Sequence, residues 1–189
     1  MKNTILNELN EHLLVLNDSK DELAEKIKEI SIIVIEKLKK GNKLIFCGNG
    51  GSAADSQHVA AEIVGRFKKE RKSLPAIAIT TDTSIITAIG NDYGYENIFK
   101  RQIQAIANEG DIFFPISTSG NSLNIINAID AAKKNGCLVI GFSGLSGGKM
   151  NNICDLMVNV KSNNTARIQE MHILIFHVIC QLIDNSYDN

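Results

Sequence analysis

The chain changes its hydrophobic rhythm once, near residue 41. Before that point apolar side chains recur at helical spacing, first at Ile5, Leu6, Leu9, Leu13 and Leu16, then at Leu23, Ile27, Ile30, Val34, Ile35 and Leu38. Ser19 and Glu22 stand at capping-box spacing between the two sets, and Gly41 follows Lys40. The pattern therefore predicts an N-terminal helical pair over residues 1–40, with its second member starting near Ser19. Ile32 and Ile33 fall outside the main stripe, and surplus apolar surface of this kind suits burial by another subunit.

From residue 43 onward, short continuous apolar runs alternate with longer amphipathic stretches. The runs predict strands at 43–47, 76–80, 111–116, 138–142 and 156–160. The stretches between them predict helices at 52–66, 84–89, 97–107 and 122–135, a short one at 149–153, and a long one at 164–184. Strands that are apolar on both faces and separated by helices specify an α/β fold, a three-layer sandwich around a five-stranded parallel sheet.

Composition narrows this picture. A chain of 189 residues with 44% apolar content suits one domain, 1–189, in which residues 1–40 supply oligomer-interface helices and 41–189 the α/β core. A formal charge of −1 provides no basic field for nucleic acid. The N-terminus mixes charged with apolar residues, so it has neither a signal-peptide core nor a membrane span, which predicts a cytoplasmic protein with no membrane partner. Four cysteines without C-x-x-C spacing read as reduced and structural. The charged run Lys68 to Lys72 reads as a solvated loop.

Two glycine- and hydroxyl-rich loops each follow an apolar strand and open a helix. In Ser117-Thr118-Ser119-Gly120-Asn121-Ser122 a single N-cap accounts for one hydroxyl but not four. Backbone N–H groups at a helix start, together with hydroxyl donors, form a cradle for a phosphate dianion. The other loop, Asn49-Gly50-Gly51-Ser52, follows Gly48 but has Ala53 where a dinucleotide fingerprint needs its third glycine. No acidic ribose reader is well placed after the next strand, so nicotinamide or flavin binding is disfavoured.

Polar pairs on apolar helices supply candidate chemistry. His58 and Glu62 are four residues apart and share a helix face. Gln169 and His177, eight apart, also share one, whereas His172 is rotated by about 140° from His177, so one of the two histidines faces elsewhere. Imidazole, carboxylate and amide donors suit zinc or a related divalent ion. His12 has no evident partner. Asn91-Asp92 reads as a turn whose side chains either cap backbone or contact sugar hydroxyls.

Taken together, CGNGGSAADSQHVAAEIVGR, GNDYGYENIF, STSGNS, GGKM and RIQEMHILIFH make the chain resemble the sugar isomerase (SIS) domain family, with its Rossmann-like core, over essentially its whole length. Within that family it is similar to enzymes of seven-carbon sugar phosphates. The resemblance implies that Ser117, Thr118, Ser119 and Ser122 hold the phosphate, and that Asn49, Gly50, Gly51, Asn91 and Asp92, with Glu62 and Gln169, contact the sugar. It implies one zinc per subunit on His58, Glu62, Gln169 and His177, catalysis by Glu62 and His177, and a homotetramer with sites between subunits. The implied reaction converts sedoheptulose 7-phosphate to D-glycero-D-manno-heptose 7-phosphate through an enediol, feeding surface-polysaccharide heptoses. The family also contains isomerases of other phosphosugars and non-catalytic binding members associated with a replication initiator.

Overall fold

The computed structural model describes residues 1–187. Five parallel strands, β1 (Leu44–Gly48), β2 (Ala76–Ala78), β3 (Ile112–Ile116), β4 (Leu138–Ser143) and β5 (Leu156–Asn159), form one sheet in the order β2-β1-β3-β4-β5. Side chains alternate across it. Leu44 and Phe46 of β1 enter one apolar cluster while Ile45 and Cys47 enter the other. The first cluster is closed by α1 (Lys2–Lys39), α2 (Gly51–Val64) and α6 (Thr165–Ser186). The second is closed by α3 (Thr83–Tyr93), α4 (Ile98–Ile106) and α5 (Leu123–Lys134). The three-layer expectation holds.

The strand order reverses direction at β1 and β3, which lie side by side with Gly48 paired to Ile116. Loops that leave the carboxyl ends of two such strands diverge and leave a crevice, the usual ligand position in an open parallel sheet. The two glycine-rich loops are the ones that leave there.

The expected N-terminal pair is a single helix. α1 runs unbroken through Ser19, which is 2% exposed. The capping box does not form because Glu22 pairs with Lys161 at 2.8 Å, outside the helix, which also holds the Glu22 carboxyl below its usual pKa. Ser19 is instead buried at the packed face of α1, where tertiary contact outweighs its preference for a cap. Ile5, Leu6, Leu9, Leu13 and Leu14 remain exposed. His12, expected to be unpartnered, bonds Glu170 of α6 at 2.7 Å, and Arg167 reaches Glu8 and Glu11, so α1 and α6 are joined by charge as well as by apolar packing.

Residues 91 and 92, expected in a turn, form the last helical turn of α3, which stops at Gly94 with φ +85°. Asp82 caps the start of the same helix, accepting from the Ile85 N–H at 2.9 Å. The expected solvated loop at 68–72 is solvated only in part, since Arg71 is buried against Asp184. All four cysteines are free thiols, three of them buried. α6 is long and apolar enough by composition to cross a membrane, but half of its most apolar window is buried against the rest of the protein, as in a core helix.

His172 points into that core. Its Nε2 donates to the Ser143 carbonyl at 3.2 Å, its ring lies edge-on to Phe142, and burial pushes its pKa down to about 4. An unfolded histidine takes up a proton near pH 6.5, so the stability contributed by neutral His172 is complete above that pH and is lost as pH falls towards 4. The expected loss is about 3 kcal/mol. Denaturant unfolding at pH 7 and pH 4.5 tests this: the pH difference should shrink in His172→Leu, and an unchanged difference would refute it.

Candidate active site

The Ser117 loop is built as a cradle. Gly120 N–H donates to the Ser117 carbonyl, closing a tight turn with Gly120 at φ +64°. The Ser117 hydroxyl lies 3.1 Å from that of Ser122 and 3.5 Å from that of Ser119. Ser122 occupies the N-cap position of α5 yet makes no side-chain capping bond; it turns towards Ser117 instead. Three hydroxyls therefore converge at a helix N-terminus, where the macrodipole favours an anion. Thr118 joins through its backbone, its carbonyl accepting from the Gly144 N–H. The segment around Gly147 and Gly148 lies directly beneath, so that a Cβ on Gly120 would stand 2.0 Å from the Gly147 carbonyl oxygen.

The Asn49 loop faces it across the crevice. Gly50, at φ +58°, allows the chain to turn into α2, and a Cβ on Gly51 would meet the Gln169 amide at 2.6 Å. Gln169 is thus seated against the first residue of α2. Farther along the same two helices, His58 Nε2 lies 3.2 Å from Glu62 Oε1 and 3.3 Å from His177 Nε2. α2 and α6 run in the same direction, with Gly51 beside Gln169 and His58 beside His177.

His58, Glu62 and His177 are each partly exposed, and Phe67 stacks on His177 with ring centroids 5.3 Å apart. Burial, and next the nearby His58, lower the His177 pKa, outweighing the pull of Glu62. Tetrahedral coordination at Zn–N and Zn–O distances near 2.05 Å places donor atoms about 3.3 Å apart. The two spacings around His58 match that edge. They form a chain through His58, and among the described residues no group of three or more His, Cys, Asp or Glu side chains is gathered closely enough to hold a metal ion.

Asn91 and Asp92 stand elsewhere. They bond each other at 2.8 Å, and Asp92 lines an apolar cavity of about 580 Å³ between β2, α3 and α4, to which neither His58 nor Ser117 contributes.

The SIS domain family matches residues 9–144. A phosphoheptose isomerase of Aliarcobacter butzleri is 55% identical over 98% of both chains, and phosphoheptose isomerase 1 of Campylobacter jejuni is 52% identical over 99% of this chain and all of that one. Among solved structures, the phosphoheptose isomerase of Neisseria gonorrhoeae superposes with a TM-score of 0.92 at 40% identity, covering 97% of this chain and 98% of that one. The chain belongs to the phosphoheptose isomerase family of SIS-domain proteins.

Read as an SIS domain, the crevice contains residues that spacing alone did not single out. Asn124, buried in the first turn of α5, exchanges two amide bonds with Asn49 at 3.0 and 2.9 Å, and Tyr95 donates its hydroxyl to Asn49 at 3.0 Å. These contacts fix the Asn49 loop to the helix that Ser122 opens. An asparagine early in a helix has no distinctive sequence signal, because the same residue serves as an ordinary local cap. Phe67 likewise reads in sequence as one apolar residue in a charged stretch.

Proposed function

We propose that this SIS-domain isomerase converts sedoheptulose 7-phosphate to D-glycero-D-manno-heptose 7-phosphate. The observation that carries the reading is the contiguous His58–Glu62–His177 cluster on the two helices beside the phosphate cradle. The cradle holds the 7-phosphate through Ser117, Thr118, Ser119 and Ser122. Asn49, Gly50, Gly51 and Gln169 contact the sugar, whereas Asn91 and Asp92, which stand apart from the crevice, are left out of the contact set.

Anchoring one end of the substrate leaves C1 and C2 to meet Glu62 and His177. Glu62 removes a proton from C1 and returns it to C2, passing through an enediol, while His177 moves a proton between the C1 and C2 oxygens. His58, Glu62, Gln169 and His177 are the donors for one zinc ion, supported by the tetrahedral-edge spacing around His58 and by an imidazole–carboxylate–amide donor set. When bound, zinc supplies Lewis-acid polarisation of the substrate oxygens. A side chain donating its lone pair to a metal is a weaker base, so Glu62 and His177 divide their time between the two roles.

The free cysteines fit a reducing, cytoplasmic setting. The exposed Ile5, Leu6, Leu9, Leu13 and Leu14 of α1 support a homotetramer. Light scattering at micromolar concentration is expected to give four times the 20.7 kDa chain mass; a monomer overturns that assembly.

Metal-loaded protein incubated separately with sedoheptulose 7-phosphate, fructose 6-phosphate and arabinose 5-phosphate tests the reading. Turnover of the heptose alone is expected. Preference for another sugar reassigns the substrate, and conversion of none makes the protein a binding member of the family.

A further inference from the structure

The loop between α2 and β2 carries a buried ion pair that the proposed chemistry does not use. The Arg71 and Asp184 side chains are 1% and 0% exposed and meet at 2.8 Å. Arg71 Nη2 donates to the carbonyl of Glu62 at 2.8 Å, and Nη1 donates to the carbonyls of Ile63 and Lys72 at 3.0 Å and of Gly65 at 3.4 Å. The other Asp184 oxygen accepts from the N–H groups of Lys68 and Lys69 at 2.7 and 2.9 Å. Burial acts to raise the Asp184 pKa, but these amides and the guanidinium outweigh it and hold the carboxyl below its usual range.

What the pair joins is informative. Arg71 grips the backbone of Glu62 itself at the end of α2. Asp184 lies seven residues beyond His177, on the same face of α6 and two turns along it. The amides that Asp184 holds belong to the two residues after Phe67, the ring that stacks on His177. A buried ion pair is a weak net stabiliser once its desolvation is counted, whereas a planar fork with several fixed acceptors sets geometry closely.

We propose that Arg71 and Asp184 are positioning residues for the isomerase reaction: together they set the separation of Glu62 from His177 and hold Phe67 against the His177 ring. This inference rests on the isomerase reading above. Small displacements of reacting groups cost large factors in rate without weakening a phosphate grip located elsewhere. Asp184→Asn keeps the shape of the side chain while removing its charge.

The experiment measures kcat and KM for sedoheptulose 7-phosphate, per folded molecule and well below Tm, in the parent protein, Asp184→Asn and Asp111→Asn. Asp111 is a control: a buried carboxylate paired with Lys43 at the amino ends of β3 and β1, away from the carboxyl ends where the glycine-rich loops leave. Asp184→Asn is expected to lower kcat at least ~10-fold with KM within about twofold, while Asp111→Asn lowers Tm and leaves kcat unchanged. A kcat for Asp184→Asn within twofold of the parent, or an equal fall in Asp111→Asn, overturns the proposal. If Asp184→Asn does not fold, Phe67→Leu decides by the same criterion. An inactive parent would count against the isomerase reading, and an active parent with unaffected variants against the positioning role alone.

Discussion

Glu62→Gln is expected to lower kcat by about three orders of magnitude while the protein stays folded, in keeping with the 10²–10⁴-fold contribution of a positioned general base. Glu62 is half-buried near the end of α2 with its carboxylate beside His58, and its backbone carbonyl is held by Arg71 independently of the side chain. The amide keeps the shape of the acid and can still meet His58, so circular dichroism and the unfolding midpoint should change little. The carboxylate is lost, and with it the group proposed to accept the C1 proton. Exchange of that proton with deuterated solvent should stop as well. Near-normal turnover in this variant would remove Glu62 as the base, and normal exchange with slow product formation would place its role after proton abstraction.

The second large effect belongs to the cradle. Gly120→Ala places a methyl group 2.0 Å from the Gly147 carbonyl oxygen at a residue with φ +64°. Left-handed backbone and forced overpacking together cost about 3 kcal/mol, and the colliding atom is backbone that cannot rotate away. Relief requires the Ser117 turn and the Gly147 segment to separate, spreading the hydroxyls of Ser117, Ser119 and Ser122. Losing two hydrogen bonds to a dianion predicts a KM raised at least ~100-fold. Gly41→Ala is the matched control: it also has positive φ, +87°, but nothing lies within 4 Å of its added methyl. It should cost stability and leave KM alone. Equal KM values in the two variants would mean that the cradle does not hold the phosphate.

Much of this architecture was legible in the chain because its signals are local. Strands with apolar residues on both faces, glycine where φ is positive, and hydroxyls massed before α5 identify the sheet and the cradle directly. The helical spacing of His58 with Glu62 and of Gln169 with His177 placed each pair on a face, but which histidine of α6 joins the site depended on family resemblance and on the core that receives His172. Where reading failed, a distant partner had replaced a local one. Lys161 takes Glu22 from its capping box, Asp184 takes Arg71 from solvent, and Glu170 takes up His12. Asn91 and Asp92 looked like a turn because Gly90 and Gly94 flank them, yet only Gly94 breaks the helix.

The contact between His58 and His177 spans 119 residues of chain, and Lys68 reaches across 116 to Asp184. During synthesis the phosphate cradle and both of its flanking strands can be complete while α6 has yet to emerge. Such an intermediate would already resemble a sugar-phosphate binder but would lack His177, the member of the reactive cluster that α6 supplies. Docking of α6 between α1 and α2 is therefore the folding event that turns a binding protein into an enzyme, and recovery of turnover on refolding should lag behind recovery of phosphate binding.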